Sequence, residues 1–252
     1  RTPFWLACGY NHLSVLKILM ENDECMKNCL SLGNNTGDTP LIAAASRNHV
    51  DICRILLSQD EGCGMLRIRN KNGDSVLSVI CANGYDGEIL DLITSHEIKQ
   101  AINGTIGNRI VNMTNVKGLT PLLIGCERNY VDVVKKLLQQ SAGVDLSQQI
   151  DEAGNTVLAV ASFCGCIEMA TFLLSSECTM FEVEELINIT NNAGATPLWL
   201  SARTGNAKMA KILLDSGADV GIVDLKERLT AKGAAEKYKK TKVVKLMEDN
   251  GL

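Results

Sequence analysis

The sequence predicts an all-α fold, a solenoid of stacked helix-turn-helix units joined by short β-hairpin loops. Three observations carry this. A Thr-Pro-Leu pattern returns along the 252 residues at a spacing of roughly 36, a helix of small residues follows each copy, and an aliphatic stripe follows that helix. Self-similarity at such a period marks a stack in which no unit buries its apolar face alone, so neighbours must pack to build a continuous core. Function is then expected on a surface shared by several units.

The copies begin at Thr2-Pro3-Phe4, Thr39-Pro40-Leu41, Ser75-Val76-Leu77, Thr120-Pro121-Leu122, Thr156-Val157-Leu158 and Thr196-Pro197-Leu198, with a capping unit near residue 229. In the second copy Ala43-Ala44-Ala45 gives a helix thin enough for its neighbours to approach, and Asn48-His49 breaks it. The next helix carries Ile52-Cys53-Arg54-Ile55-Leu56-Leu57, whose apolar residues fall on one face. Val15 to Leu19, Val133 to Leu138 and Met209 to Leu214 repeat that plan. Ahead of each Thr stands a turn signal such as Asn34-Asn35-Thr36-Gly37-Asp38, Asn70-Lys71-Asn72-Gly73-Asp74 or Asp151-Glu152-Ala153-Gly154-Asn155. There the Asn or Asp bonds its own backbone and the Gly supplies a positive φ, so these stretches are expected to be hairpin tips.

On these residues the chain resembles the ankyrin repeat family, whose pattern runs D-x-x-G-x-T-P-L-H-x-A-A-x-x-G-H and, after a short spacer, V-V-x-x-L-L. The resemblance covers essentially the whole chain, from 1 to 252, as one domain of six regular repeats and a degenerate C-terminal cap. The His of the pattern is replaced throughout, by Trp5, Ile42, Ser78, Leu123, Ala159 and Trp199, which removes a side-chain hydrogen bond common in the family. In the last unit Asp224 to Thr230 lacks the hairpin Gly and fits either of two registers one residue apart.

The repeats are longer than the family's period of about 33 residues, and the surplus always follows the second helix. The longest insertion, between Thr94 and Asn115, contains Ser95 to Gly104, with a Ser suited to an N-cap and a Gly suited to a stop. It predicts an additional short helix over Ser95 to Asn103. Met180 to Leu186 and Cys25 to Cys29 are candidates for lesser versions.

Composition excludes several classes. With 46% hydrophobic and 21% charged residues the chain is globular material, yet aromatics are only 4%, so small aliphatic contacts must carry the core. No apolar run reaches the roughly 18 residues of a membrane span, and no signal peptide opens the sequence. Arg1-Thr2 starts inside a repeat with apolar Phe4-Trp5-Leu6 close behind, which reads as a fragment of a longer chain or an end covered by another segment. The C-terminal segment from Lys226 to Asp249 has eight basic residues against four acidic ones, while the whole chain is −4. A solvated capping helix accounts for that run, and nucleic acid is not expected as a partner.

Ten cysteines raise disulfide and metal readings. Cys8, Cys81 and Cys126 hold equivalent small positions, Cys53 lies on a packed stripe, and Cys25-x-x-x-Cys29 and Cys164-x-Cys166 lack a second pair or a His at zinc spacing. Free buried thiols fit a reducing compartment, so a cytoplasmic or nuclear protein is expected, without metal or cofactor. No Gly-x-Ser-x-Gly, phosphate loop or His-Glu-x-x-His occurs, and His49 with Cys53 is set aside because Cys53 should face neighbouring helices. The chain is not expected to be an enzyme.

Recognition remains. The resemblance places it along the hairpin tips and the exposed side of the inner helices, where Asp38, Asp74 and Leu119 stand at tips and Tyr10, Arg47, Glu127, Arg128, Phe163 and Arg203 on helices. Trp5 and Trp199, at the His position, are expected to be partly exposed. A line carrying Arg47, Arg128, Phe163 and Arg203 suits one or more proteins, or an extended and partly acidic peptide, held by a monomeric scaffold without membrane insertion. A different class, a targeting or regulatory segment of a larger multidomain enzyme or channel, also fits.

Overall fold

The structure is a computed structural model that describes residues 2–21, 29–59, 64–102, 109–140, 144, 149–178 and 183–252. Among the described residues it contains seven helix pairs and no β-strand beyond an isolated bridge between Ile150 and Thr156. The inner helices are Pro3–Gly9, Pro40–Ala45, Val76–Asn83, Pro121–Glu127, Val157–Cys164, Pro197–Thr204 and Ala231–Lys237. Each is followed by an outer helix: Leu13–Met20, Val50–Ser58, Glu88–Ile102, Val131–Gln140, Ile167–Leu173, Ala207–Asp215 and Thr241–Asp249. The pairs are organised as two compact units, one of residues 1–124 and 132–148, the other of residues 125–131 and 149–252.

The repeating Thr explains where each inner helix starts. Thr2, Thr39, Ser75, Thr156, Thr196 and Thr230 are N-caps whose hydroxyl accepts the backbone N–H three residues on, and Thr120 accepts the N–H of Leu123 in the same way. A Pro directly after the cap gives up an N–H that would have no helical partner there. The stop is as regular. Nine residues beyond the cap the backbone turns left-handed, at Asn11, Asn48 and Asn129 and at Gly84, Gly165 and Gly205. Lys239 takes that conformation in the last repeat.

The core is aliphatic, with Leu41, Leu77, Leu122, Leu158 and Leu198 of the inner helices and Ile52, Leu56, Leu137 and Leu213 of the outer ones fully buried. Cys8, Cys53, Cys81 and Cys126 are buried there as small hydrophobes, and burial pushes the Cys8 and Cys53 thiols up to about 12. A thiol held that far from ionisation is no nucleophile at neutral pH. His49, four residues before Cys53, has a different task, with Nε2 donating to Gly9 O of the preceding repeat at 3.2 Å.

Three expectations need correction. Ser95 to Ile102 is helical as expected, but it is no separate helix, because the outer helix runs on without a break from Glu88 to Ile102. Thr94 Oγ1 bonds back to Leu90 O at 2.8 Å, so Ser95 continues a turn that is already closed. Residue 103 lies outside the described residues, as do 25–28 and 180–182 of the two lesser candidates, whose remaining parts are a buried Cys29 and a helix Val183–Ile187. Second, Trp5 and Trp199 are buried, at 2% and 4% exposure. Third, the hydrogen bond lost with the His is restored at Trp5, whose Nε1 donates to Asp38 O of the next tip at 2.7 Å. The two possible registers of the last repeat resolve with Thr230 as the N-cap.

Candidate protein-binding face

The tips are built by their first residue. Asn34 Oδ1 accepts from the N–H of Thr36 and of Asp38, each at 2.9 Å, and Asn70, Asn115, Asp151 and Asn191 accept in the same pattern. Successive tips are then stitched together. Lys71 N donates to Thr36 O and Val116 N to Asn72 O in the first unit, and Asn192 N donates to Ala153 O and Leu225 N to Ala193 O in the second. A Cβ at Gly37 would stand 2.8 Å from Lys71 N, so close approach as well as positive φ demands Gly there.

Asp38 and Asp74 take part in this stitching. Asp38 accepts from Asn70 Nδ2 at 2.9 Å through one oxygen and from Thr36 Oγ1 at 2.6 Å through the other, and Asp74 accepts from Asn115 Nδ2 at 3.0 Å. Their carboxylates are half-buried and spoken for by neighbouring tips. Leu119 replaces such an acid in the fourth tip and is also half-buried, beside Val116, which is exposed. That tip is therefore apolar, as is the last, where Val223 and Leu225 are exposed.

The arginines divide into two kinds. Arg47 stacks over Trp5 and Tyr10, 5.9 and 5.6 Å from their ring centroids, and Arg203 lies over Trp199 and Tyr238 at 5.7 and 5.5 Å. Each ties one repeat to the next by a cation–π contact of roughly 0.5–1 kcal/mol at an exposed site. Arg128 is different: it is exposed and has no hydrogen bond or ion pair with a described residue. Phe163 is 51% exposed, with Cys164 exposed beside it, and Glu127 is exposed next to Arg128. The side chain of Tyr10 is 52% exposed and stacks on His12.

Within the second unit these residues share one strip. Cys166 Sγ donates to Glu127 O at 3.5 Å and Met169 N to Asn129 Oδ1 at 3.1 Å, which anchors Glu127 and Arg128 to the fifth repeat. The inner helices of the fifth, sixth and seventh repeats pack in succession, so Arg128, Phe163, Arg203 and Tyr238 recur along it. Sequence reasoning missed Tyr238, which stands eight residues after Thr230 as Tyr10 stands eight after Thr2. Its OH donates to Glu227 Oε1 at 2.6 Å, and Glu227 pairs with Lys237 at 3.3 Å. That hydrogen bond first, and the Lys237 ammonium beside it, hold the Glu227 carboxyl below its usual range.

In the last tip burial would raise the Asp224 carboxyl, but N–H groups of Glu227, Leu229 and Lys226 donate to it and hold it below the ordinary value. Asp224 thus does what Asn34 and its equivalents do in the other tips, while Arg228 takes the positive φ that Gly takes there. Among the described residues no group of three His, Cys, Asp or Glu is placed to hold a metal ion, and no helix is long and apolar enough to cross a membrane.

Repeats capped by Thr-Pro, turned by Asn or Gly and stitched at their tips define a class of repeat protein, and comparison with known proteins agrees. Residues 1–67 and 61–181 match the model of ankyrin repeats in three copies, and 193–225 match that of a single ankyrin repeat. The chain belongs to the ankyrin repeat family, whose repeats serve generally as protein–protein interaction modules. It is 27% identical over 216 residues to the nuclear factor NF-kappa-B p105 subunit of Gallus gallus, which covers 85% of this chain and 20% of the relative. It is 31% identical to the transient receptor potential cation channel subfamily A member 1 of Homo sapiens, over 75% of this chain and 15% of the relative. An I-kappa-B like protein C2 of Microplitis demolitor bracovirus is 30% identical, over 60% of this chain and 76% of its own. Among solved structures, the ankyrin repeat domain of Bcl-3 superposes with a TM-score of 0.75 at 19% identity, covering 98% of both chains. That of human ASB11 gives 0.70 at 19% identity, over 98% of this chain and 97% of the other. At that identity the two structures speak for the fold.

Proposed function

We propose that residues 1–252 act as one non-catalytic scaffold that holds a partner protein, or an extended and partly acidic peptide, along the tips and the exposed side of the inner helices. The observation that carries this reading is Phe163, an aromatic ring half in water on a helix whose other large apolar side chains are buried, together with an exposed Arg128 that has no partner among the described residues. Exposed aromatic and Arg side chains dominate interface energies once they are desolvated by a partner. Arg47 in the first unit and Arg203 in the second are already stacked on aromatic rings, and Leu119 supplies an apolar tip in the first.

The scaffold needs no metal or cofactor, and cytoplasm or nucleus is the compartment in which its buried thiols stay reduced. Affinity capture from a native lysate with the parent chain and with Phe163→Ala and Arg128→Ala tests the reading. Both variants should fold as the parent does, Phe163→Ala should speed dissociation of a captured partner by about 2 kcal/mol, and Arg47→Ala should mainly alter salt dependence. Partners held equally by all the proteins would move the site to the insertions. A second reading, a targeting or regulatory segment of a larger enzyme or channel, is favoured by one observation: the chain spans only a fifth or less of two long relatives, one of them a channel subunit.

A further inference from the structure

Resting on that reading, we infer that the strip of the second unit selects a peptide by spacing: a carboxylate, an apolar side chain and a second carboxylate, each about three residues apart. The chemistry of the two ends differs from that of the middle. Arg128 offers an exposed guanidinium with no described partner, next in sequence to the exposed Glu127. Phe163 offers an exposed ring in the next repeat. Arg203, in the repeat after that, is held between Trp199 and Tyr238.

That stack leaves the edge of the guanidinium, where its N–H donors lie, available to a planar carboxylate, because cation–π contact uses the faces. It also fixes the side chain before a ligand arrives, so little rotamer freedom remains to be lost on binding. Lys237 lies beyond Arg203 but is paired with Glu227, which makes it a weaker continuation of the strip.

The repeat distance sets the spacing. Packed helices lie roughly 8–10 Å apart, and an extended peptide advances about 3.3 Å per residue, so one repeat corresponds to about three residues of ligand. Alternate side chains of a strand point oppositely, and a three-residue step therefore needs the looser twist of a polyproline-like chain, which has about three residues per turn and a rise near 3.1 Å. Glu, Leu and Glu at such intervals would meet Arg128, Phe163 and Arg203 in order.

Fluorescence anisotropy with the full chain decides it. The probe is a labelled peptide carrying Glu, Leu and Glu three residues apart on a Ser-Pro-Ala background, compared with one of the same composition whose Leu adjoins a Glu. The spaced peptide should bind about tenfold more tightly, and Phe163→Ala and Arg203→Lys should each remove about tenfold of its affinity, the second because an ammonium cannot present a planar fork. Equal binding of the two peptides, with Phe163→Ala still weakening both, would overturn the spacing and leave the binding face standing. If Phe163→Ala and Arg128→Ala leave the binding of both peptides unchanged, or neither peptide binds, the spacing rule fails, and the first outcome removes the face as well.

Discussion

The first two repeats and the last two build the same stack of Trp, Arg and Tyr, but from opposite directions. At the start Trp5 and Tyr10 belong to one repeat and Arg47 to the next; at the end Trp199 and Arg203 belong together and Tyr238 comes from the following repeat. The tryptophans differ more. Trp5 Nε1 donates to Asp38 O, whereas Trp199 Nε1 is buried without a hydrogen-bond partner among the described residues. The difference lies in the tip that follows, because the second tip turns at Gly37 while the last has no Gly and turns through Arg228 at a φ of 55°. Equivalent residues thus acquire different energies from their neighbours' backbone.

The outer helices of the first two repeats make the same point with larger stakes. Val15 and Ile52 hold equivalent positions, yet Val15 is 47% exposed and Ile52 is fully buried. Ile52→Ala should therefore destabilise the chain by about 3 kcal/mol and Val15→Ala by less than about 1 kcal/mol, compared by urea denaturation. Similar losses for both would break the comparison.

The continued outer helix supplies the next effect. Glu97 is buried in it and accepts the N–H of Ile110 at 2.6 Å; burial raises its carboxyl, and that hydrogen bond, Arg109 and Arg67 oppose the rise. Its removal as Glu97→Ala should cost about 2 kcal/mol by leaving a buried N–H unpaired. Because the folded form holds its proton more tightly than the unfolded form, whose value is near 4.3, Glu97 contributes stability below that pH. The contribution falls as pH rises through the raised folded value. Glu97→Gln keeps an acceptor for Ile110 and should flatten that slope, measured by denaturation at a series of pH values.

The smallest effect sharpens the opening contrast. Trp5→Phe and Trp199→Phe remove similar volume, but only the first breaks a hydrogen bond, so Trp5→Phe should cost about 1 kcal/mol more in thermal or urea unfolding. Equal costs would mean that Trp199 is also satisfied in solution.

Much of the fold is readable from residues alone because its determinants are local. A Thr three residues before the N–H it caps, an Asn that bonds its own tip and a Gly or Asn that takes positive φ need no distant partner to act. The same register placed Phe163 and Arg128 on an exposed side. What stayed hidden involved two repeats at once: the indole of Trp5 reaching Asp38, Arg47 and Arg203 committed to stacking, and Asp38 and Asp74 committed to neighbouring tips. The insertion was misread for a related reason, since a Ser suited to a cap continues a helix when the preceding turn is already closed.

The sequence by itself therefore determined the repeat, its caps and turns, and the aliphatic core, all set by contacts within a few residues or by periodic burial. Tertiary structure decided which polar side chains are spent between repeats and which stay exposed, because a hydrogen bond or a cation–π contact exists only when two repeats bring its halves within reach.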